Sequence, residues 1–519
     1  MAEAFLDAWT AADGPAMAEL VAEGAEGVAA ADAELRTSLQ VVSAEVADLR
    51  VEAEGDEATA RFRATLGLQG LGPWTYDGRL ALVEVDGDWR VRYASPSLHR
   101  DVTEGEQLQR TRSQGLRAPI VAAGGQPLAV GGPGEQARLS SLASALLGGL
   151  RELAPNEVAG RGLEYQAGDL VGDDGVEQGF EAQLAGDPVG SIQVVDDTGR
   201  PVDLLQEFGG ERPEPLYLTL DYAVQRAAEA AVAGQTLPTA LVAVDSRTGA
   251  IRAVANNPTG YDRALLGQYP PGSTFKIVTA AAALAAGRTR DEIMPCPYEI
   301  QRGDSATFNN AFGEEFGDIP FIEAFKHSCN TTFVDLGYQL GAGALQEAAE
   351  NFGFNTPYGI GVPVESSSFP TPQSDTEVAA SAIGQAAVSV TPLHMATVAA
   401  AAYDGTWRVP YLAGEPPPEG QRPLPEPAAA EMPDFLRDVV RTGTGTAAAI
   451  LGQDVGGKTG TAEFGNEDPP ETHAWFAGFL EELAFAVVVE GGGVGGEVAA
   501  PLIHDFLTNL PPEPAPPAG

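Results

Sequence analysis

The sequence predicts a multidomain α+β protein, and three observations carry that reading. Its 519 residues suit about three domains at roughly 150 residues each. Residues 1 to about 45 repeat apolar side chains at helical spacing and then give way to alternation, the pattern of helices followed by an antiparallel sheet. From Leu216 onward, apolar strand pairs lie early and late with helices between them. One antiparallel sheet made from both ends of that stretch, flanked by helices, is expected.

In order along the chain, Phe5, Leu6, Trp9, Met17, Leu20 and Val21 mark the first helices. Val51–Glu54, Ala58–Leu66, Leu80–Val85 and Trp89–Tyr93 read as strands, the last two parted by the turn Asp86-Gly87-Asp88. Nothing catalytic lines this unit, residues 1–105, so it reads as a spacer or docking domain. Residues 106–211 are glycine-rich, with short strands and one expected helix from Gln136 to Leu153; the turns Gly131–Gly134 and Gly172–Gly175 break up longer elements. This is expected to be an extended connecting domain. The third unit, 212–510, opens with a strand Leu216–Leu220, after which Asp221 caps a helix carrying Val224, Ala227, Ala228 and Ala231. Strands Ala240–Val244 and Ala250–Val254 are joined by Asp245–Gly249. After a proline-rich loop, Gly414–Pro427, strands follow at about 456–464, 473–480 and 484–489, then a helix at about 498–509. The proline-rich tail, 511–519, is expected to be disordered.

Charge narrows the function. A formal net charge of -43 excludes nucleic acid and anionic membrane surfaces as partners. No apolar run reaches a membrane span, and no signal peptide precedes Ala2. The chain as given reads as soluble, and an extracytoplasmic role would require a native N-terminal anchor that it lacks. Among 30 basic residues only Lys276, Lys326 and Lys458 are lysines. Arginine can fill generic surface positions, but it cannot serve where a titratable amine is required. Cys296 and Cys329 form no CxxC pair, which leaves open both a single disulfide and two apolar-packed thiols. The five histidines lack metal-ligand spacing, so no metal and no cofactor are expected.

The chemistry centres on Pro270-Pro271-Gly272-Ser273-Thr274-Phe275-Lys276, a stiff turn leading into the apolar run Ile277–Leu284. Ser273 falls near a helix start and Lys276 one turn later on the same face. A desolvated lysine can take the proton of a serine nucleophile, and free N–H groups of the helix start can hold an oxyanion. Alone this pair is closer to a capped helix than to a site. It is joined by Ser328-Cys329-Asn330, 52 positions after Lys276, and by Lys458-Thr459-Gly460-Thr461, 128 positions after Asn330. The three elements in this order make up the serine β-lactamase and penicillin-binding set.

The chain resembles the class B penicillin-binding proteins, the peptidoglycan transpeptidases. The resemblance runs through Ala240–Ile251, Arg263–Lys276, Ser328–Thr331, Ile383–Ala396, Lys458–Glu463 and His473–Phe476, covering most of 212–510. Gly179-Phe180-Glu181 with Leu184-Ala185-Gly186 resembles the family's pedestal, or dimerisation, domain, and Arg117–Ile120 with Gly125–Ala129 is a degenerate form of that domain's opening motif. Residues 1–105 resemble the nuclear-transport-factor-like extension of methicillin-resistance-type members.

The resemblance implies D,D-transpeptidation of D-Ala-D-Ala stem peptides through a Ser273 acyl-enzyme, with β-lactam antibiotics as covalent inhibitors. Ser273 would attack the penultimate D-Ala carbonyl, Lys276 would accept its proton, and Ser328 would relay a proton to the leaving amine. Asn330 would bind Lys276 and the substrate amide. Lys458 and Thr459 would hold the terminal carboxylate, next to Gly460, with the N–H groups of Ser273 and Thr461 as the oxyanion hole. It also implies a membrane glycosyltransferase as partner and a place on the extracytoplasmic side of the bacterial membrane. Two alternatives share the nucleophile. A serine β-lactamase would need a base that activates water; no class A glutamate motif is present, and Ser-Cys-Asn stands where class D enzymes carry Ser-x-Val. A non-catalytic penicillin-binding sensor would keep the acylation step alone. Lys326 and His327 read as solvated helix-end residues, and Trp475 and Phe476 as core or wall.

Overall fold

The computed structural model describes the whole chain except residues 96, 104, 133–134, 139–141, 305, 466–469 and 512–519. The expected disordered tail therefore lies, from residue 512, outside the described residues, as does part of the Gly131–Gly134 turn. The N-terminal unit begins with helices α1 (Ala2–Thr10), α2 (Gly14–Leu20) and α3 (Ala25–Leu39). The Asp13 carboxylate caps α2 by accepting from the Ala16 N–H. An antiparallel sheet β1-β2-β3-β4 follows, from Val41–Glu54, Glu57–Leu68, Gly72–Val85 and Asp88–Arg92. Alternation puts Ala60, Phe62, Leu66, Trp74 and Leu80 on one face, buried against Phe5, Trp9, Met17 and Leu39.

Besides one short strand pair, 150–152 with 170–172, the connecting unit is built on two larger sheets. One orders strands 201–208, 189–195 and 107–113; the other orders 216–217, 120–121, 127–132 and 135–138. The helix expected over Gln136–Leu153, of which 139–141 lie outside the described residues, does not form among those described. In its place stand a strand Glu135–Arg138, a single helical turn Ser144–Leu147 and a strand Leu150–Glu152. Pairing of 135–138 with 127–132 overrides local helical propensity, and Gly148, at φ +76, ends the helical turn at once. The strand expected at Leu216–Leu220 is shorter, Leu216–Tyr217, because it continues only as one bridge from Leu218 to Ala413.

The remaining chain is built on a five-stranded antiparallel sheet between two helical layers, with three small strand pairs outside it, 293–296 with 317–320, 299–302 with 306–309, and 406–407 with 422–423. Asp221 caps α4 (Tyr222–Ala233), accepting from the N–H groups of Ala223 and Val224. Strands β5 (Thr239–Asp245) and β6 (Ile251–Asn257) come before helices α5 (Lys276–Ala285), α6 (Phe321–Lys326), α7 (Asn330–Asn351, interrupted at Gly341), α8 (Pro392–Asp404) and α9 (Glu426–Thr442). Strands β7 (Val455–Phe464), β8 (Glu471–Leu480) and β9 (Leu483–Val489) and helix α10 (Ala499–Thr508) close it. The sheet order β6-β5-β9-β8-β7 confirms a sheet made from both ends. One face packs Val242, Trp475, Phe479 and Ala486 into a core with α5, α8 and α9. The other packs Leu241, Phe476, Phe485 and Val487 against α4 and α10. Strand β7 lies at the edge, where its outer backbone groups have no neighbouring strand. No helix among the described residues is long and apolar enough to cross a membrane.

Candidate active site

The turn before α5 is fixed from three sides. Trp475 Nε1 donates to the Pro270 carbonyl at 3.1 Å, and the Gly272 N–H donates to the Gly384 carbonyl at 3.0 Å. Gly272 sits at φ +52, and a Cβ there would lie 2.6 Å from the Thr461 carbonyl oxygen. Only glycine lets the turn press this closely on β7. Gly272–Phe275 is a single 3-10 turn, so Ser273 and Lys276, three positions apart, lie nearly in line along its axis. Ser273 is half-buried, whereas Lys276 has no exposed surface.

Lys276 Nζ donates to the Ser328 carbonyl at 2.7 Å, to Ser328 Oγ at 3.2 Å and to Asn330 Oδ1 at 2.6 Å. Its ammonium lies 5.5 Å from the centre of the Phe333 ring. Burial holds its pKa well below the usual lysine value, and the charge of Lys458 lowers it further. As a neutral amine it has two protons for the two short carbonyl bonds and a lone pair left to accept one.

Ser328 owes its place to a helix end. It follows α6 at φ +58, its N–H donating to the Phe325 carbonyl, and this left-handed residue turns its own carbonyl toward Lys276. Helix α7 then starts at Asn330, with Cys329 between the two helices bonded to Cys296. The disulfide decides between the two readings of the cysteines. Asn330 Nδ2 donates to the Asn309 carbonyl at 3.0 Å, which leaves its second proton available.

On β7, Lys458 is buried beside the Phe325 ring and donates to the Thr459 carbonyl at 3.0 Å. Burial pushes its pKa down to about 7. Among the described residues no carboxylate lies within ion-pair distance of Lys276 or Lys458. The Thr459 hydroxyl lies 2.6 Å from that of Thr444, and Thr461 Oγ accepts from the Gly495 N–H at 3.3 Å. A Cβ on Gly460 would come within 3.1 Å of the Pro271 carbonyl, so this glycine gives the serine turn its clearance.

Residues 239–508, half the chain, match the family described as the penicillin-binding protein transpeptidase domain. The chain belongs to the penicillin-binding transpeptidases. Residues 138–218 match the penicillin-binding protein dimerisation domain, and 1–106 the NTF2-like N-terminal transpeptidase domain. The peptidoglycan D,D-transpeptidase PbpA of Mycolicibacterium smegmatis is 37% identical over 269 residues, 46% of this chain and 55% of the relative. MrdA of Acinetobacter baumannii, also a peptidoglycan D,D-transpeptidase, is 29% identical over 427 residues, 68% of this chain and 63% of the relative. The chain thus spans about half the length of the first curated relatives it matches. Penicillin-binding protein A of M. tuberculosis, solved as a ceftriaxone acyl-enzyme complex, superposes with a TM-score of 0.61 at 27% identity, over 76% of this chain and 98% of that chain.

Within this family frame, the fold brings the three motif segments of the sequence together: the Ser273 turn, the α6–α7 junction and edge strand β7. Lys326 is not a solvated residue. Its side chain is 13% exposed, pairs with Glu323 at 2.7 Å, and packs beneath Gly443. His327 is half-exposed and stacks on Phe316 at 4.5 Å between ring centres. Trp475 and Phe476 are both fully buried, on opposite faces of the sheet. Sequence reasoning missed Asn309, Thr444 and the two phenylalanines beside the lysines. The first two lie far from any motif, and a phenylalanine under an ammonium carries no sequence mark distinguishing it from core.

Proposed function

We propose that this chain is a serine D,D-transpeptidase that crosslinks D-Ala-D-Ala stem peptides of peptidoglycan and is acylated by β-lactams at Ser273. The observation that carries the reading is Lys276, a buried lysine with no carboxylate partner among the described residues, held at 2.6–3.2 Å from Ser328 and Asn330 one turn after Ser273. Lys276 takes the Ser273 proton as Oγ bonds to the penultimate D-Ala carbonyl carbon. The N–H groups of Ser273 and Thr461 hold the resulting oxyanion. On collapse the C–N bond breaks, and the departing D-Ala amine takes a proton through Ser328. The acceptor amine then attacks the Ser273 ester, forming the crosslink and returning the serine. Asn330 keeps Lys276 in place and offers its second amide proton to the substrate, while Lys458 and Thr459 hold the terminal carboxylate. Asn330, bonded to Lys276 where class D β-lactamases carry an apolar residue, favours this reading over a β-lactamase, whose acyl-enzyme must be hydrolysed by an activated water.

The proposal extends to the domain limits 1–105, 106–211, 212–510 and 511–519, to action on the extracytoplasmic side of the membrane, and to a membrane glycosyltransferase as partner. Fluorescent penicillin tests it. The wild-type chain is expected to keep a covalent adduct for hours, and Ser273→Ala to keep none. Rapid release of hydrolysed drug would instead establish a β-lactamase. Crosslinking of a donor stem peptide to an acceptor amine separates a transpeptidase from a sensor that only acylates.

A further inference from the structure

We infer that Thr444, in the Gly443-Thr444-Gly445 loop after α9, is a positioning residue that fixes the proton of the Thr459 hydroxyl toward the substrate carboxylate; this rests on the carboxylate role proposed for Thr459. The two hydroxyl oxygens lie 2.6 Å apart, and Thr459 is only 5% exposed. A threonine hydroxyl has one proton and two lone pairs, whereas a carboxylate only accepts. Once a carboxylate takes the Thr459 proton, the 2.6 Å contact survives only if Thr444 donates and Thr459 accepts. With no carboxylate bound, either polarity satisfies the pair. Thr444 therefore lets the subsite favour an acceptor-only end group without touching it.

The loop is held where this requires. The Thr444 N–H donates to the Lys326 carbonyl at 3.2 Å, at the end of α6 just before Ser328. Its carbonyl abuts Gly496, where a Cβ would lie 2.8 Å away. A Cβ on Gly443 would meet the Lys326 carbonyl at 2.6 Å, so glycine is needed for the loop to seat. Thr444 thus ties the segment carrying Ser328 to the strand carrying Thr459.

The test is a double-mutant cycle on the full chain, measuring acylation by a chromogenic penicillin as a function of its concentration. Thr444→Val keeps the shape and removes the donor, and is expected to lower the second-order acylation constant by about three- to tenfold. The loss should appear as weaker apparent binding with little change in the saturating rate. Thr444→Ser should restore the constant to within about twofold of wild type. In a Thr459→Val background, Thr444→Val should cost less than about twofold. Multiplicative losses in the double variant, or a Thr444→Ser no better than Thr444→Val, would overturn the inference. A Thr459→Val with no effect of its own would remove the carboxylate role of Thr459, and the inference with it.

Discussion

Ser328 holds a backbone conformation that costs a non-glycine residue on the order of 1 kcal/mol, and it does so to aim its carbonyl and hydroxyl at one amine. Ser328→Gly is therefore expected to leave the thermal midpoint unchanged or slightly raised. Transpeptidation should nonetheless fall by about 100-fold or more, since the proton relay is lost. A calorimetric scan beside a crosslinking assay checks both, and a variant that loses stability and activity together would contradict the assignment. Lys458 poses the converse case. Its burial is the cause of its low pKa. Below pH 7 it is charged in both folded and unfolded chains, and the folded state bears the whole desolvation cost. Between about pH 7 and about 10.4 the unfolded chain binds a proton that the folded one does not, so this penalty fades as pH rises. Lys458→Met should thus stabilise the protein at pH 6 by on the order of 1–4 kcal/mol, with a smaller gain at pH 9, while abolishing acylation. Equal gains at both pH values would show that packing, not charge, was relieved. The three lysine positions were legible because arginine does the ordinary work in this chain; that all three would be packed away from solvent was not.

At the scale of elements, the sequence was most readable where one period dominates. Strands β5, β6, β8 and β9 carry apolar runs bounded by turns, and these pair into the buried centre of the sheet, whereas β7 was legible through its Lys-Thr-Gly motif. The connecting unit was least readable, because the strand 135–138 exists only through its partner 127–132, some residues away and rich in glycine. The Cys296–Cys329 bond shows the same limit: two cysteines 33 positions apart say nothing of whether a fold will bring them together. Its placement gives it a clear mechanical task, since it ties the strand Ile293–Cys296 to the three-residue link between α6 and α7. Closing a loop of this length restricts the unfolded chain by an amount worth about 4 kcal/mol in the loop-entropy view. The double variant Cys296→Ala/Cys329→Ala is expected to lose up to about that much stability in denaturant titration. It should also acylate more slowly, because Ser328 and Asn330 flank the removed bond. Retention of full stability would mean that the Asn310 bonds to the Pro297 and Glu314 carbonyls alone hold this segment.

Across the whole molecule, the three sequence units are less separate than a reading by composition implies. Ile120, Leu128, Leu147 and Leu184 of the connecting unit lie in one continuous core with Val242, Phe275 and Trp475, while Ile192 and Val194 of the same unit pack into the N-terminal core. The connecting unit is a structural splice between two cores, held also by a buried Arg117 that bonds Glu177 and Glu181 at 3.0 and 2.8 Å. What the three units do share in solution is charge. A net charge of -43 repels a ligand that must arrive carrying a carboxylate, while the attraction of Lys458 is short-ranged and enclosed. Screening lengths fall from about 30 Å at 0.01 M salt to about 8 Å at 0.15 M, so salt should suppress the long-range repulsion before it reaches the buried lysine. The second-order constant for acylation by an anionic penicillin is accordingly expected to rise by about two- to tenfold over that range, and that of the corresponding neutral methyl ester to stay flat. A fall with added salt would show that the positive field of the cleft reaches beyond its mouth and outweighs the acidic surface around it.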